Sequence, residues 1–419
     1  MFNCDELYKK IFKLTRHHEF LIAYSGGMDS HVLLHSLVML RKRHPELQLR
    51  SVHVHHGLSS NADLWVEHCR RICTDLNVEF IVRYVKAKSR NKRSPEAVAR
   101  KLRYQEFANL LTKDECLLTA HHADDQAETL LLQLFRGSGT KGLAAMPEHK
   151  GFMLGTLVRP LLEFSRQELY EYAKQNNLNW IEDESNENIG YDRNFIRHQL
   201  LPIVKKRWSS ILKTLARVAE HCANASELLS VLAEQDYVKV CGSKPNTLSI
   251  KKLLQLDTAR QSNIIRYWLH KLNLPTPTSI KMQHIIKDIL HCRIDATPVV
   301  HWQYAEVRRY RDDLYAFKPL EKYDTSMILV WDITKPLKLP ADLGMLHPDI
   351  LKDHEIDLVT AKNITVRFRQ GGERCKIEGR TGTHELKKIF QENGIPPWQR
   401  DRVPLIYQDN ELVAFIPLF

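Results

Sequence analysis

The chain has 419 residues, 43% of them hydrophobic and 26% charged. That is globular composition, too long for one core at ~100–200 residues per domain, so two or three domains are expected. Sixty-one Lys and Arg against 50 Asp and Glu leave a net charge of +11; the surplus suits a polyanionic partner, although a merely soluble basic protein has the same balance. The most span-like run, His31 to Leu40, is far short of the ~20 apolar residues that cross a bilayer and carries two histidines, so no membrane association is expected. Asp5, Glu6, Lys9 and Lys10 leave no apolar signal segment, and the eight cysteines form no Cys-x-x-Cys pair. Reduced thiols in a cytoplasmic protein are the expectation, rather than a zinc or disulfide framework.

Short apolar runs alternate with amphipathic stretches over the first ~200 residues, the pattern of a parallel sheet with helices on both faces. Phe20–Tyr24 predicts a buried strand and Asp29–Arg41 a helix. Leu49–His53 is strand-like, and Trp65, Cys69, Ile72, Cys73 and Leu76 recur at helical spacing. A strand at Glu79–Val85, a helix at Ser94–Leu111 and a strand at Cys116–Ala120 follow. Ser165-x-x-Glu168 is a capping box opening a helix to Gln175. Beyond Pro202 the chain turns helix-rich to about Leu290, broken at Gly242–Pro245 and Leu274–Thr278. Strand alternation resumes from Val299 to Phe317. A Pro- and Lys-containing linker (Lys335, Pro336, Lys338, Pro340) leads to a small α+β module. The expected domains are 1–205, 206–325 and 326–419.

Ser25-Gly26-Gly27-Met28-Asp29-Ser30 lies between a predicted buried strand and a helix. Two glycines allow a tight turn and close backbone approach, two hydroxyls add donors, and the helix start adds free N–H groups. Together they suit a phosphate or pyrophosphate. Asp29 would repel bare phosphate, which points to Mg²⁺ bridging carboxylate and phosphate oxygens; an ordinary Gly-Gly turn is the plain alternative. No Walker Gly-Lys-Ser/Thr occurs. Gly137-Ser138-Gly139-Thr140-Lys141-Gly142 matches the dinucleotide spacing but follows a helical stretch, so that context is missing.

His121-His122-Ala123-Asp124-Asp125-Gln126-Ala127-Glu128-Thr129 follows the fourth predicted strand. Spacings of four and three would put His121, Asp125 and Glu128 on one helix face, at the end of a sheet strand. Such a trio can hold Mg²⁺, orient an amine or accept its proton. Acidic residues complementing a helix dipole are the simpler explanation for that segment taken alone.

The Ser25–Ser30 loop resembles the Ser-Gly-Gly-x-Asp-Ser signature of the PP-loop ATP pyrophosphatases. With His53–Ser59, His121–Thr129, Arg136–Gly139, Trp180–Asn186, Asp192–Arg197 and the stretch from Phe368–Glu373 to Trp398, the chain resembles the tRNA(Ile)-lysidine synthetases over nearly its whole length. The resemblance implies an ATP-dependent ligase that joins free L-lysine to the wobble cytidine of tRNA(Ile) with a CAU anticodon. An adenylated C2 is the intermediate, and reading switches from AUG to AUA. It implies ATP binding by Ser25, Gly26, Gly27, Met28, Asp29 and Ser30, with His53 towards the adenosine. Asp29 and Asp125 would take Mg²⁺, His121, Asp125 and Arg193 would act at the adenylation centre, and Glu128 would hold the lysine ammonium. Arg193 would neutralise charge on the α-phosphate.

Nine Lys or Arg against one acid, Glu96, lie between Arg83 and Arg103. Arg90, Lys92 and Arg93 sit where apolar periodicity is absent and are expected to meet RNA phosphates; a solvated basic face is the alternative. Arg367 to Arg402 carries nine basic and five acidic residues with Phe368, Phe390 and Trp398 between them. Arg374, Lys387, Lys388 and Arg400 are the tRNA contacts expected there. Another PP-loop tRNA-modifying enzyme such as a thiolase, a non-catalytic RNA-binding protein and a small-molecule amide ligase remain rival readings, and a homodimer stays open.

Overall fold

The computed structural model describes residues 2–86, 95–293, 296–341, 343–354, 363–376 and 382–418. The basic residues Arg90, Lys92 and Arg93 lie outside the described residues. Two compact units divide at 229/230.

In the first unit, α1 (Cys4–Leu14) precedes β1 (Glu19–Ala23), α2 (Met28–Arg41), β2 (Gln48–His55), α3 (Ala62–Asp75), β3 (Glu79–Tyr84), α4 (Pro95–Leu110) and β4 (Glu115–Leu118). Then come α5 (Ala123–Phe135), α6 (Thr140–Leu143), the hairpin β5 (His149–Phe152) and β6 (Gly155–Val158), and α7 (Arg166–Gln175). The strands form one sheet in the order β3-β2-β1-β4-β6-β5, all parallel except β5. Alternation along each strand splits the core. Phe20, Ile22, Cys116 and Leu118 face a cluster with α1, α2 and α7 residues, whereas Leu21, Leu117, Val52 and Val54 face Phe107 of α4 and Leu111 just past it. Helices therefore cover both faces, as the run pattern predicts. The Ser165–Glu168 capping box is present, with both reciprocal bonds formed. The β5–β6 hairpin has no clear sequence signal: β5 is a four-residue, mostly exposed edge strand, too short and too solvated to show a period.

The order of strands decides where the site lies. Chain progression from β1 goes outward through β2 and β3, then returns to the other side of β1 with β4. The loops leaving the carboxyl ends of β1 and β4 thus diverge to opposite faces and open a crevice between them, the usual ligand position in an open parallel sheet. Those two loops are Tyr24–Gly27 and Thr119–His122.

Past Tyr191 the chain forms α8 (Asp192–Phe195), a π-helical turn (Ile196–Leu200) and α9 (Leu201–Arg207), then α10 (Ile211–Val240), which carries the boundary between units. The second unit holds two antiparallel four-stranded sheets. One, from strands at Leu248–Ser249, Val299–Trp302, Ala305–Tyr310 and Asp313–Phe317, packs with the helix Thr258–Lys271 around fully buried Trp268. The other uses Leu329–Val330, Ile364–Arg367, Leu405–Gln408 and Glu411–Phe415. No helix among the described residues is long and apolar enough to cross a membrane.

One buried pair fastens the central strands. Arg50 on β2 reaches past β1 to Glu115 at the start of β4, donating through Nη2 to both carboxylate oxygens at 2.9 and 2.8 Å and through Nε at 3.0 Å. Glu115 is 3% exposed. Removing one partner of such a pair leaves the other charge desolvated. Glu115→Ala should cost about 3 kcal/mol of unfolding free energy, the low end of the buried-pair range because Arg50 keeps some solvent. Urea titration would measure it, and a loss well under 1 kcal/mol would show the pair to be screened.

Candidate active site

The first loop is locked by its own side chains. The Ser30 hydroxyl donates to the Gly27 carbonyl at 2.9 Å and lies 3.1 Å from the Ser25 hydroxyl. The Ser25 and Gly27 N–H groups point to Ser30 Oγ and Ser25 Oγ, at 3.3 and 3.4 Å. Gly26 has φ +86°, and a Cβ there would lie 2.7 Å from Ile181 Cδ1 and 2.8 Å from Cys69 Sγ. The Gly26 carbonyl also accepts from Ile181 N–H at 2.9 Å, so glycine is needed for conformation and for space. Gly27 caps α2 without a side-chain bond, which leaves the first-turn N–H groups for an anion. Met28 is buried, and Asp29 stands in that turn with its carboxylate at the edge of the crevice.

Across the crevice, α5 starts two residues later than the 121/125/128 spacing assumes. His122 is its N-cap and Ala123 its first residue, so His121 lies ahead of the helix and only Asp125 and Glu128 share a turn-to-turn face. His122 and Asp125 form the capping box: His122 N–H donates to Asp125 Oδ2 at 3.1 Å, and Asp125 N–H donates to His122 Nδ1 at 3.4 Å. The other ring nitrogen of His122 faces Asp29 at 3.5 Å and Asp125 at 3.4 Å. His122 is therefore the link between the two loops. Burial alone would lower its pKa, but the carboxylates of Asp125 and Asp29 raise it.

Asp125 and Glu128 are buried and doubly paired. Arg193 donates through Nε to Glu128 at 2.7 Å and through Nη2 to Asp125 at 2.8 Å. Arg197 donates to Glu128 at 2.6 and 3.0 Å and to Asp125 at 3.2 Å. Desolvation would raise the Asp125 carboxyl, but His122 and Arg193 hold it at about 2. Glu128 is fully buried, with both oxygens taken by arginines. Glu128, expected to hold the lysine ammonium, anchors both arginines here. Asp125, expected to share the metal, has Oδ1 accepting from both arginines and Oδ2 from the His122 N–H. Asp29 does fit a divalent cation, because its Oδ1 is buried without a hydrogen-bond partner. Among the described residues no three metal-ligating side chains cluster, so phosphate oxygens and water would have to complete the shell of a Mg²⁺ at Asp29.

His121 and His53 are neutral. Burial, then the nearby Arg159, Arg100 and Arg193, outweigh Asp125 and push His121 down to about 3, and its Nδ1 pairs with the Thr119 hydroxyl at 2.9 Å. His53 is buried at the end of β2 with Nδ1 3.1 Å from the Tyr24 carbonyl, and desolvation lowers it to about 4. His53 thus packs beneath the Ser25 loop. The Gly137–Gly142 stretch follows α5 and forms α6, with no strand before it.

His122 and Arg197 were not singled out by motif reasoning. A His-x-x-Asp capping signal existed for the first, and the four-residue spacing of Arg193 and Arg197 for the second. In the second unit, Arg374, Lys387 and Lys388 are exposed. Arg400 is not a surface contact: it is 7% exposed, with Nε donating to the Ile395 carbonyl at 3.0 Å. Phe368 and Phe390 are likewise core, since aromatics with apolar neighbours bury.

The buried neutral histidines set a pH dependence. His31 (about 4) and His53 (about 4), both lowered chiefly by desolvation, bind protons at pH 5–6 only when unfolded. Stability must therefore fall as pH drops from 6.5 towards 4, by up to about 1.4 kcal/mol per unit for each such group. The raised His122 acts oppositely, its contribution being present below pH 6.5 and lost on alkalinisation. Urea midpoints between pH 7 and 5 should decline; a flat profile would mean these rings are solvated in the fold.

Family models match the three parts of the chain. A PP-loop domain covers residues 2–204, a TilS substrate binding domain 248–315 and a TilS substrate C-terminal domain 364–419. The tRNA(Ile)-lysidine synthase of Coxiella burnetii is 44% identical over 99% of this chain and 92% of its own length. Those of Methylococcus capsulatus and Serratia proteamaculans are 40% and 41% identical over 94% and 97% of this chain and 90% and 92% of theirs. With the strand-loop-helix anion site and the paired carboxylates at one sheet switch point, these relations place the chain in the tRNA(Ile)-lysidine synthase family.

Proposed function

We propose that this protein ligates lysine to the C2 position of the wobble cytidine of tRNA(Ile) with a CAU anticodon, using ATP and releasing AMP and diphosphate, in the cytoplasm. The supporting observation is the pairing at the crevice of a phosphate-ready loop with a buried, cation-rich carboxylate cluster linked through His122. Residues 1–205 carry the chemistry, and 206–325 and 326–419 hold the tRNA, with Arg374, Lys387 and Lys388 exposed for phosphate.

The Ser25–Ser30 loop binds the ATP phosphates through its free N–H groups and hydroxyls. Asp29 would hold Mg²⁺ through its unpartnered oxygen, and the ion would supply charge neutralisation for the phosphates. His53 supports the loop from below on the adenosine side. Arg193 pairs with Asp125 and Glu128 and stands at the rim to meet charge growing on the α-phosphate as the cytidine oxygen attacks. His121, neutral, offers one ring nitrogen for hydrogen bonding to the reacting groups without adding charge. Because Glu128 is committed to arginines, the exposed acids Glu182, Glu184 and Glu187 attract the lysine ammonium. The lysine amine then attacks C2 and AMP leaves.

Radiolabelled lysine should enter a tRNA(Ile) transcript with a CAU anticodon only when ATP is present, and should not enter an initiator methionine transcript. Asp29→Ala should abolish ATP–pyrophosphate exchange while tRNA affinity stays within about twofold; surviving exchange would overturn the metal placement. Neutralising Arg90, Lys92 and Arg93 should flatten the salt dependence of tRNA binding by roughly 0.7–0.9 in log–log slope per lost phosphate contact. An unchanged slope would remove that segment from the RNA interface.

A further inference from the structure

About one to two turns along α5 from Glu128, a second feature faces the same side. Leu132, Phe135 and Arg136, at and just past the carboxyl end of α5, and Asp192, Phe195 and Ile196, on α8 and the π turn, line a cleft of about 260 Å³. Leu132 is one helical turn beyond Glu128, and Asp192 immediately precedes Arg193, so the cleft is built on the same two elements that hold the reaction centre. Its chemistry is unlike that of the centre. Phe135 is 65% exposed and Phe195 51% exposed, two aromatic rings left in solvent where the core offers no reason for them. Leu132 and Ile196 close the floor. At the rim, Arg136 Nη2 and Asp192 Oδ2 stand 3.8 Å apart, both well exposed, too far for a hydrogen bond and close enough to engage one planar edge together.

An apolar slot with exposed aromatic faces takes a planar ring by stacking, and unpaired bases of RNA loops are recognised in this way. The rim adds selection. A carboxylate accepts from an exocyclic amino group and a guanidinium donates to a ring nitrogen. Adenine and cytosine present that amino-beside-acceptor pair on their Watson–Crick edges; on the same edges uracil and guanine put a carbonyl beside an N–H, against the wrong partners. We propose that this cleft binds the adenine that follows the wobble cytidine in the CAU anticodon, stacked on Phe135 and Phe195 with its amino edge read by Asp192 and Arg136. The proposal rests on the tRNA reading above, which supplies the loop whose next base is adenine. One base in the crevice and its neighbour in the cleft would present the cytidine to the cluster in a single register.

The experiment is equilibrium binding of anticodon stem–loop RNAs carrying CAU, CGU or CUU to the full-length protein, with no ATP or lysine present. The wild-type protein should bind CAU about 10–100-fold more tightly than CGU or CUU, the discrimination one paired base edge provides. Asp192→Ala should collapse that ratio towards one. Phe135→Ala should weaken all three loops alike. A wild-type ratio near one, or a ratio that survives in Asp192→Ala, overturns the proposal. Circular dichroism and the urea midpoint of Asp192→Ala should match wild type, since the residue is exposed. A second variant, Asp192→Asn, which keeps an acceptor oxygen, should restore part of the preference. Lysine incorporation is scored separately: its absence with the CAU preference intact would count against the ligase reading alone.

Discussion

Two carboxylates on successive turns of one helix cannot both be buried unless cations reach them, and the packing of the 192–207 segment against α5 follows from that requirement. Asp125 and Glu128 lie inside the fold with 8% and 0% exposure. Their charge is matched by Arg193 and Arg197, which arrive from α8 and the π-helical turn behind it. The arginines are sixty-five or more residues away in sequence, so the ion cluster is also the clamp that fixes the 192–207 segment against α5. A π turn is a costly piece of backbone that recurs at functional sites, and here it carries Arg197 at the point where a second guanidinium must meet Glu128. Leaving either carboxylate unpaired would cost more than the cluster gains, which ties folding of this segment to formation of the site.

Against that dense cluster, the opposing loop is electrostatically sparse. Ser25 to Ser30 satisfies itself through hydroxyls and turns its helix-terminal N–H groups outward, with Asp29 retaining one unpartnered oxygen. His122 crosses between the two sides, and it does so as the cap of α5. One wall of the crevice is thus saturated and rigid, while the other retains free valences for phosphate and a divalent ion. Neutral His53 and His121 add hydrogen-bonding groups without adding charge, because burial holds both well below the usual imidazole range.

The parts of this site that could be read from the chain were those determined by neighbours in sequence. A glycine pair between a buried run and a helix specifies an anion loop wherever the helix lands, and the strand and helix periods of the first ~200 residues report a parallel sheet because each element shows which side it buries. The capping box at Ser165 is likewise a three-residue event. Residue environments that depend on partners far along the chain were not legible in the sequence. Glu128 has the chemistry of an ammonium acceptor but not the exposure, since Arg193 and Arg197 reach it first. Arg400 sits in a basic, aromatic-punctuated stretch, yet its guanidinium is spent on a backbone carbonyl inside the module.

What the sequence determined alone is the local chemistry: which segment turns tightly enough for phosphate, which helices bury which stripe, and a composition and set of motifs belonging to one family of tRNA-modifying enzymes. Only the tertiary structure decided which ionisable groups are free and which are consumed. Burial and pairing are properties of the whole fold, set by the order β3-β2-β1-β4 that opens the crevice and by the segment that closes on it. A side chain's charge is written in its sequence position; its availability depends on desolvation and on the counter-charges that the fold brings within 3 or 4 Å.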